Sequence, residues 1–256
     1  FEFLSLFKKP NEKVYFRLIQ EEKHIAKNFD CIFTLDDDLE YPLIQKIFIK
    51  YQKQGYGVYF VVNSGGQEKN SIKRINAHFI DMDFGKVPLI DSGELIKDSE
   101  GKIVYEYRNK EEIEEYKTAF LKKLENFKLI PNVIVETKNG FHVYWLLDPD
   151  KPQSLDAFTP IQEKLIDYFA AFEERKEHAD SSVKDINRVL RLINYKHLKN
   201  PKDPFTIKCI YLNTDEKYTQ ADIANAIGYN IIELVSNTKS TEIKPVAVRA
   251  ETSNLQ

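Results

Sequence analysis

The sequence predicts a mixed α+β fold made of two α/β modules, on three observations. Short β-branched and aromatic runs of strand length, such as Val58-Tyr59-Phe60-Val61-Val62, alternate with amphipathic helical stretches. From Ile75 onward the order strand, helix, two strands, helix, strand can be read, a split βαβ arrangement. The 256 residues, 42% of them apolar, also suffice for a sizeable core in one large domain or two small ones.

The elements follow in order. Val14 to Ile19 has the make-up of a strand, and Pro42 to Lys53 that of a helix, with Leu43, Ile47 and Tyr51 at helical spacing. Gly55 and Gly57 end that helix, and the strand Val58 to Val62 is closed by Asn63-Ser64-Gly65-Gly66. The run Asp36-Asp37-Asp38 ahead of the helix reads as a solvated acidic cluster favoured by the helix dipole, with a metal site as the alternative. Ala77 to Phe84 is a strand, followed by a polar excursion from Lys86 to Arg108. Lys110 to Phe127 is a helix with Ile113, Tyr116, Phe120 and Leu124 on one face. Asn132 to Thr137 and His142 to Leu147 are strands around a Lys138-Asn139-Gly140 turn. A second helix is predicted over Ser154 to Phe172, N-capped around Ser154. A strand follows over Arg188 to Ile193, another over Phe205 to Leu212, and a short helix around Ala221 to Ala226. The expected modules are about 1–75 and about 76–215, the second with the βαββαβ order of RNA-recognition-like folds. The tail from Ser236 to Gln256 reads as a polar, mobile linker.

Composition narrows the function classes. A net charge of −3 gives no overall attraction to nucleic acid, so a basic surface must be local. The two cysteines, Cys31 and Cys209, are far apart and lack metal-ligand spacing, so no zinc is expected and a reducing cytoplasm is. No apolar run approaches the ~18 residues of a membrane span. The opening Phe1-Glu2-Phe3-Leu4-Ser5-Leu6-Phe7 is too short for a signal peptide and lacks a basic start. It also lacks an initiator Met, which reads as a fragment of something longer.

Three segments carry chemistry. In the strand Ala77 to Phe84, Asp81 and Asp83 alternate onto one face, with Phe79. Two carboxylates so placed repel each other unless a cation offsets them, and Mg²⁺ or Mn²⁺ favours carboxylate oxygen. In Lys138-Asn139-Gly140-Phe141-His142, a cation, a bare backbone and a neutral donor within one turn suit a phosphate. The third segment runs from Asp180 through Asp185 to Arg188 and Arg191. Lys184 to Lys208 holds seven Lys or Arg (184, 188, 191, 196, 199, 202, 208) against two acids (185, 203), a locally basic region suited to a nucleotide or nucleic-acid groove. Lys73 and Arg74, just before the acidic strand, are weaker candidates, as is Lys196.

Taken together and in order, these motifs resemble those of the archaeo-eukaryotic primase superfamily, on its primase-polymerase branch, close to RepB-like plasmid primases. The family's Asp-x-Asp or Asp-x-Glu motif matches Asp81 and Asp83. Its histidine motif, commonly Ser-x-His after a Lys, matches Lys138 to His142. Its third acidic residue followed by paired arginines matches Asp180, with Asp185 as second choice, then Arg188 and Arg191. The similarity covers roughly Phe33 to Leu198. Two departures stand out: Gly140 occupies the serine position, and the family's Leu-Pro-Gly appears as Leu192-Ile193-Asn194.

The resemblance implies a primase fold with the active site in a cleft between the modules, and a catalytic domain over about 1–235. It implies primer synthesis and extension on single-stranded DNA from ribo- or deoxyribonucleoside triphosphates. Asp81, Asp83 and Asp180 would hold two Mg²⁺ or Mn²⁺ ions about 4 Å apart. Lys138, Asn139, His142, Arg188 and Arg191 would hold the nucleotide. Template and primer are the implied partners, along with the replication, repair or CRISPR-associated proteins beside which such enzymes occur. Two rivals stand beside this reading: another Asp-x-Asp metal enzyme using nucleotide diphosphates, and a catalytically silent single-strand-binding module.

Overall fold

Two four-stranded antiparallel sheets carry the molecule, in a computed structural model that describes residues 2–21, 27–35, 40–92, 94–170 and 180–230. The Asp36-Asp37-Asp38 run and the tail from Ser236 lie outside the described residues. The first sheet has the order β7-β3-β1-β2, from β1 (Lys13–Gln20), β2 (Phe29–Thr34), β3 (Tyr56–Val61) and β7 (Val189–Arg191). The second has the order β8-β5-β6-β4, from β4 (Ala77–Asp83), β5 (Val133–Glu136), β6 (Gly140–Leu146) and β8 (Lys208–Leu212). Helices α1 (Glu2–Ser5), α2 (Glu40–Gln52), α3 (Lys110–Glu125), α4 (Phe158–Ala170) and α5 (Gln220–Ala226) pack around them.

One buried apolar cluster runs through both sheets, from Phe3 to Ala226. The opening segment is part of it. Phe7 sits between the sheets, its ring 5.3 Å from Phe60 of β3 and 5.1 Å from Tyr144 of β6. Beside it, buried Lys8 donates to Asn63 O at 2.6 Å. Asn63 Oδ1 in turn accepts from Asn76 N (2.8 Å), and Asn63 Nδ2 donates to Ile186 O (2.8 Å). Thus the end of β3, the start of β4 and the segment leading to β7 are tied at one buried polar point.

Local chemistry explains the elements. Asn109 caps α3: its side chain accepts from Glu112 N while Glu112 reaches back to Asn109 N. Thr219 and Asp222 do the same for α5. Helix α4 begins at Phe158, later than expected, with Pro160 in its first turn. Ser154 accepts from Ala157 N at 3.3 Å in the turn ahead of the helix.

The largest departure from expectation concerns topology. The arginine strand, β7, joins the first sheet beside β3, where Val62 N donates to Arg188 O and Leu192 N to Val58 O. The strand that completes the second sheet is β8, beside β5. Strand periodicity shows that a segment is extended and says nothing of which sheet takes it. β2 had no sequence signal, because its burial pattern lacks the clean alternation of a half-buried strand.

β4 ends the second sheet, yet its outer edge is not bare. The buried Gln162 amide of α4 accepts from Phe79 N (3.4 Å) and donates to Phe79 O, and Asp180 N donates to Asp81 O at 2.9 Å. Between β4 and α3, residues 85–92 and 94–108 form a ribbon in which Lys86–Pro88 pairs with Tyr105–Tyr107 and Ile90–Asp91 with Glu94–Leu95.

Candidate active site

The antiparallel register of β4 and β6 sets His142 directly opposite Asp81 and Gly140 opposite Asp83. Residues so paired project from the same face, and His142 Nε2 comes within 3.6 Å of Asp81 Oδ1. Gly140 is required by this register: a Cβ there would lie 1.8 Å from Met82 O. The departure from Ser-x-His thus has a local cause, since no side chain fits where β6 starts against β4.

Asp180 enters from the other side. Its N–H bond to Asp81 O fixes its backbone beside β4, and its carboxylate lies 3.5 Å from Arg188 Nη2. Arg191 is held from behind by Glu21, whose carboxylate oxygen is 2.5 Å from Arg191 Nη1 and whose side chain is 2% exposed. The same carboxylate accepts from Tyr59 OH (2.6 Å) and Leu198 N (2.6 Å). The Arg191 guanidinium lies 4.7 Å from the Tyr59 ring centroid.

These groups line one cavity of about 540 Å³ where the two sheets meet. Its wall includes Asp81, Asp83 and His142 from the second sheet, Tyr59 and Arg191 from the first, and Asp180 and Arg188 between them. The electrostatics are opposed. Burial, followed by the charges of Asp180 and Asp83, pushes the Asp81 carboxyl up to about 7, with Arg191 and Arg188 pulling back. His142 is drawn down to about 3 by burial and the two arginines, so it is a neutral imidazole and its contact with Asp81 is not an ion pair.

Of the residues singled out in the sequence, the cavity gathers Asp81, Asp83, Asp180, His142, Arg188 and Arg191. It does not gather the others. Lys138 pairs with Asp203, with Nζ 2.9 Å from Oδ2 and 2.7 Å from the Asp203 carbonyl oxygen. The Asn139 side chain lies against Gly85. Arg74 is tied up structurally, with Nη2 2.6 Å from Glu12 Oε2 and Nε donating to Asn76 Oδ1. Lys73, Asp185 and Lys196 are exposed and stand off the cavity wall. In exchange the structure adds Tyr59, Lys86, Tyr105 and Lys199 to the wall and Glu21 behind it. Glu21 had no motif to announce it; it stands out only in the fold, as a buried acid held by Arg191, Tyr59 OH and Leu198 N.

The donor set suits a hard divalent cation: carboxylates converge on one cavity, and the charge conflict at Asp81 is of the kind such an ion relieves. As the side chains lie, two of them are otherwise engaged. Asp83 Oδ1 accepts from Gly85 N (2.8 Å), and Asp180 faces Arg188. Among the described residues no three His, Cys, Asp or Glu side chains stand gathered as a ligand group. The chemistry fits a metal, and binding one requires these carboxylates to turn toward it.

No family model matches the chain, and no curated protein does. Solved structures do. The archaeo-eukaryotic primase domain of the cyanophage S-2L primase-polymerase superposes with a TM-score of 0.54 at 20% identity, over 88% of this chain and 95% of that one. The catalytic domain of primase RepB′, solved with initiator DNA, gives 0.50 at 11%, over 90% and 92%. Primase RepB′ in a longer form gives 0.50 at 12%, over 92% of this chain and 62% of that one. The chain therefore has the fold of these primase domains.

Proposed function

We propose that this chain, with its archaeo-eukaryotic primase fold, is a DNA primase-polymerase that joins nucleotides on single-stranded DNA, and that residues 1–235 act as its catalytic unit. One observation carries the reading: three carboxylates, two arginines and a neutral histidine from separate parts of the chain line one cavity between the two sheets. A silent binding groove has no use for clustered carboxylates, which repel phosphate.

In the reaction a 3′-hydroxyl oxygen bonds to the α-phosphorus of a nucleoside triphosphate, the bridging oxygen bond breaks, and pyrophosphate leaves. Asp81, Asp83 and Asp180 would hold Mg²⁺ or Mn²⁺, which supplies charge neutralisation and acidifies the attacking hydroxyl. Arg188 and Arg191 face the same cavity and carry fixed positive charge to the triphosphate through charge-assisted bonds. Lys199 and Lys86 extend that charge along the wall. His142, neutral and buried, offers one ring N–H as a donor without adding charge. Lys138, engaged by Asp203, has no part in this scheme.

The test is synthesis on unprimed single-stranded DNA with Mn²⁺ or Mg²⁺ and labelled nucleotides. The native chain should make new oligonucleotides, and the Asp81→Ala, Asp83→Ala variant should make at least about a hundredfold less. Extension of an annealed primer without new products would leave a polymerase that cannot initiate. No incorporation in either assay, with single strands still bound, would replace the proposal with a binding module.

A further inference from the structure

Beside the cavity, the ribbon carries a feature that nucleotide transfer in the pocket does not use. We propose that the outward face of this ribbon is a stacking platform for an unpaired base of single-stranded DNA; the proposal rests on the reading of the cavity given above.

The register pairs Lys86 with Tyr107 and Pro88 with Tyr105. Directly opposed residues share a face, so Lys86, Pro88, Tyr105 and Tyr107 form one surface. Val87, paired with Glu106, takes the opposite face, where Val87 is packed at 4% exposure and Glu106 is exposed. Tyr107 is 77% exposed, the largest exposure of any large hydrophobic side chain among the described residues. Lys86 Nζ lies 4.3 Å from the Tyr105 ring centroid. Lys86 and Tyr105 also belong to the cavity wall, together with Arg188, Arg191 and Lys199. A continuous path thus leads from the cations of the cavity across Tyr105 to the open ring of Tyr107.

That chemistry recognises a single strand. Cations follow the phosphates, while an exposed aromatic face takes a base that has no pairing partner. A duplex keeps its base faces stacked and has nothing to offer Tyr107. The surface is also held in place. Arg108 N donates to Gly85 O, Arg108 Nη1 donates to Phe84 O at 3.2 Å, and the Arg108 guanidinium lies 3.9 Å from the Tyr116 ring centroid. These contacts clamp the root of the ribbon to β4 and α3. The acids Asp91, Glu94, Asp98 and Glu100 lie in its outer segments, and Glu106 at the root takes the face opposite the tyrosines, so the tyrosine face of the root is free of acids.

The experiment measures binding of a labelled oligothymidylate to the full chain, to Tyr107→Ala and to Tyr107→Phe, beside triphosphate binding without DNA. The same oligonucleotide with consecutive abasic sites is the second probe. Tyr107→Ala should weaken oligonucleotide binding about 5- to 20-fold, and Tyr107→Phe should stay within about twofold of the native chain. The abasic strand should bind the native chain as weakly as the intact strand binds Tyr107→Ala, and triphosphate binding should be the same in all three proteins. Equal affinity of the native chain and Tyr107→Ala for the intact strand overturns the platform. So does equal affinity of the native chain for intact and abasic strands. Absence of triphosphate binding by the native chain overturns the reading of the cavity instead, and the two failures are distinguishable because they appear on different ligands.

Discussion

The Arg191 guanidinium stands on the cavity wall with Glu21 directly behind it and the Tyr59 ring beneath it. A carboxylate this deeply buried is tolerable because three donors satisfy it: Arg191, Tyr59 OH and Leu198 N. Glu21 is therefore a positioning residue, acting on a nucleotide through Arg191. Glu21→Gln keeps the size of the side chain and removes the charge, which frees Arg191 to leave the wall. Steady-state kinetics should show KM for the nucleotide raised about tenfold with kcat changed much less, the equivalent of about 1.4 kcal/mol of ground-state binding. A fall in kcat alone would assign Glu21 a different part. At this scale the sequence was legible where neighbours in the chain share a face. Asp81 with Asp83 could be read in that way, and Arg188 with Arg191 only as neighbours in one basic segment. Tyr59, Lys86, Tyr105 and Lys199 reach the cavity from distant segments, Glu21 backs it from another, and Lys138 pairs with Asp203 instead.

At the level of elements, the acidic strand depends on a side chain of a helix. β4 has β6 on one side, and on the other its backbone is met by Gln162, whose amide serves both polar groups of Phe79. The same Gln162 oxygen faces His78 Nδ1 at 3.0 Å, so the proton of that imidazole sits on Nδ1. Burial holds His78 down at about 4, and it stays neutral through the physiological range. Gln162→Leu keeps the volume and leaves these buried groups without partners. Thermal or denaturant unfolding should show a loss of about 2–4 kcal/mol. A change below about 1 kcal/mol would mean that β4 finds other partners. The amphipathic pattern of α4 was readable from its apolar spacing, whereas a glutamine on the buried face reads as an irregularity until the strand edge it covers is seen.

For the whole molecule, the two sheets are joined by a polar knot as well as by the apolar core. Lys8 is buried at that joint, and burial lowers it to about 7, with the Glu12 charge opposing the shift and the Arg74 charge adding to it. Its folded pKa lies below its unfolded value of 10.5, so between these limits unfolding takes up a proton and stability rises with pH. From pH 7 to about 8, below the ordinary range of cysteines and tyrosines, the contribution approaches about 1.4 kcal/mol per pH unit. Unfolding free energies across that window should rise more steeply for the native chain than for Lys8→Met, and parallel curves would show that Lys8 reaches water. No helix among the described residues is long and apolar enough to cross a membrane, in keeping with the short apolar runs of the sequence.

What the sequence determined by itself was local and ordered: most of the strand and helix spans, though not β2 or the paired ribbon, the side of β4 that carries Asp81 and Asp83, and the succession of motifs that resembles the primases. Those properties follow from period and composition along a few consecutive residues. Tertiary structure alone decided that the arginine strand crosses to the first sheet, that Glu21 backs Arg191, that Gly140 has no room for a side chain, and that Tyr107 is left open beside the cavity. The reason is that strand partnership and burial are long-range choices. They are made by hydrogen-bond edges and packing between segments far apart in the chain, and no local pattern records which edge a strand will find.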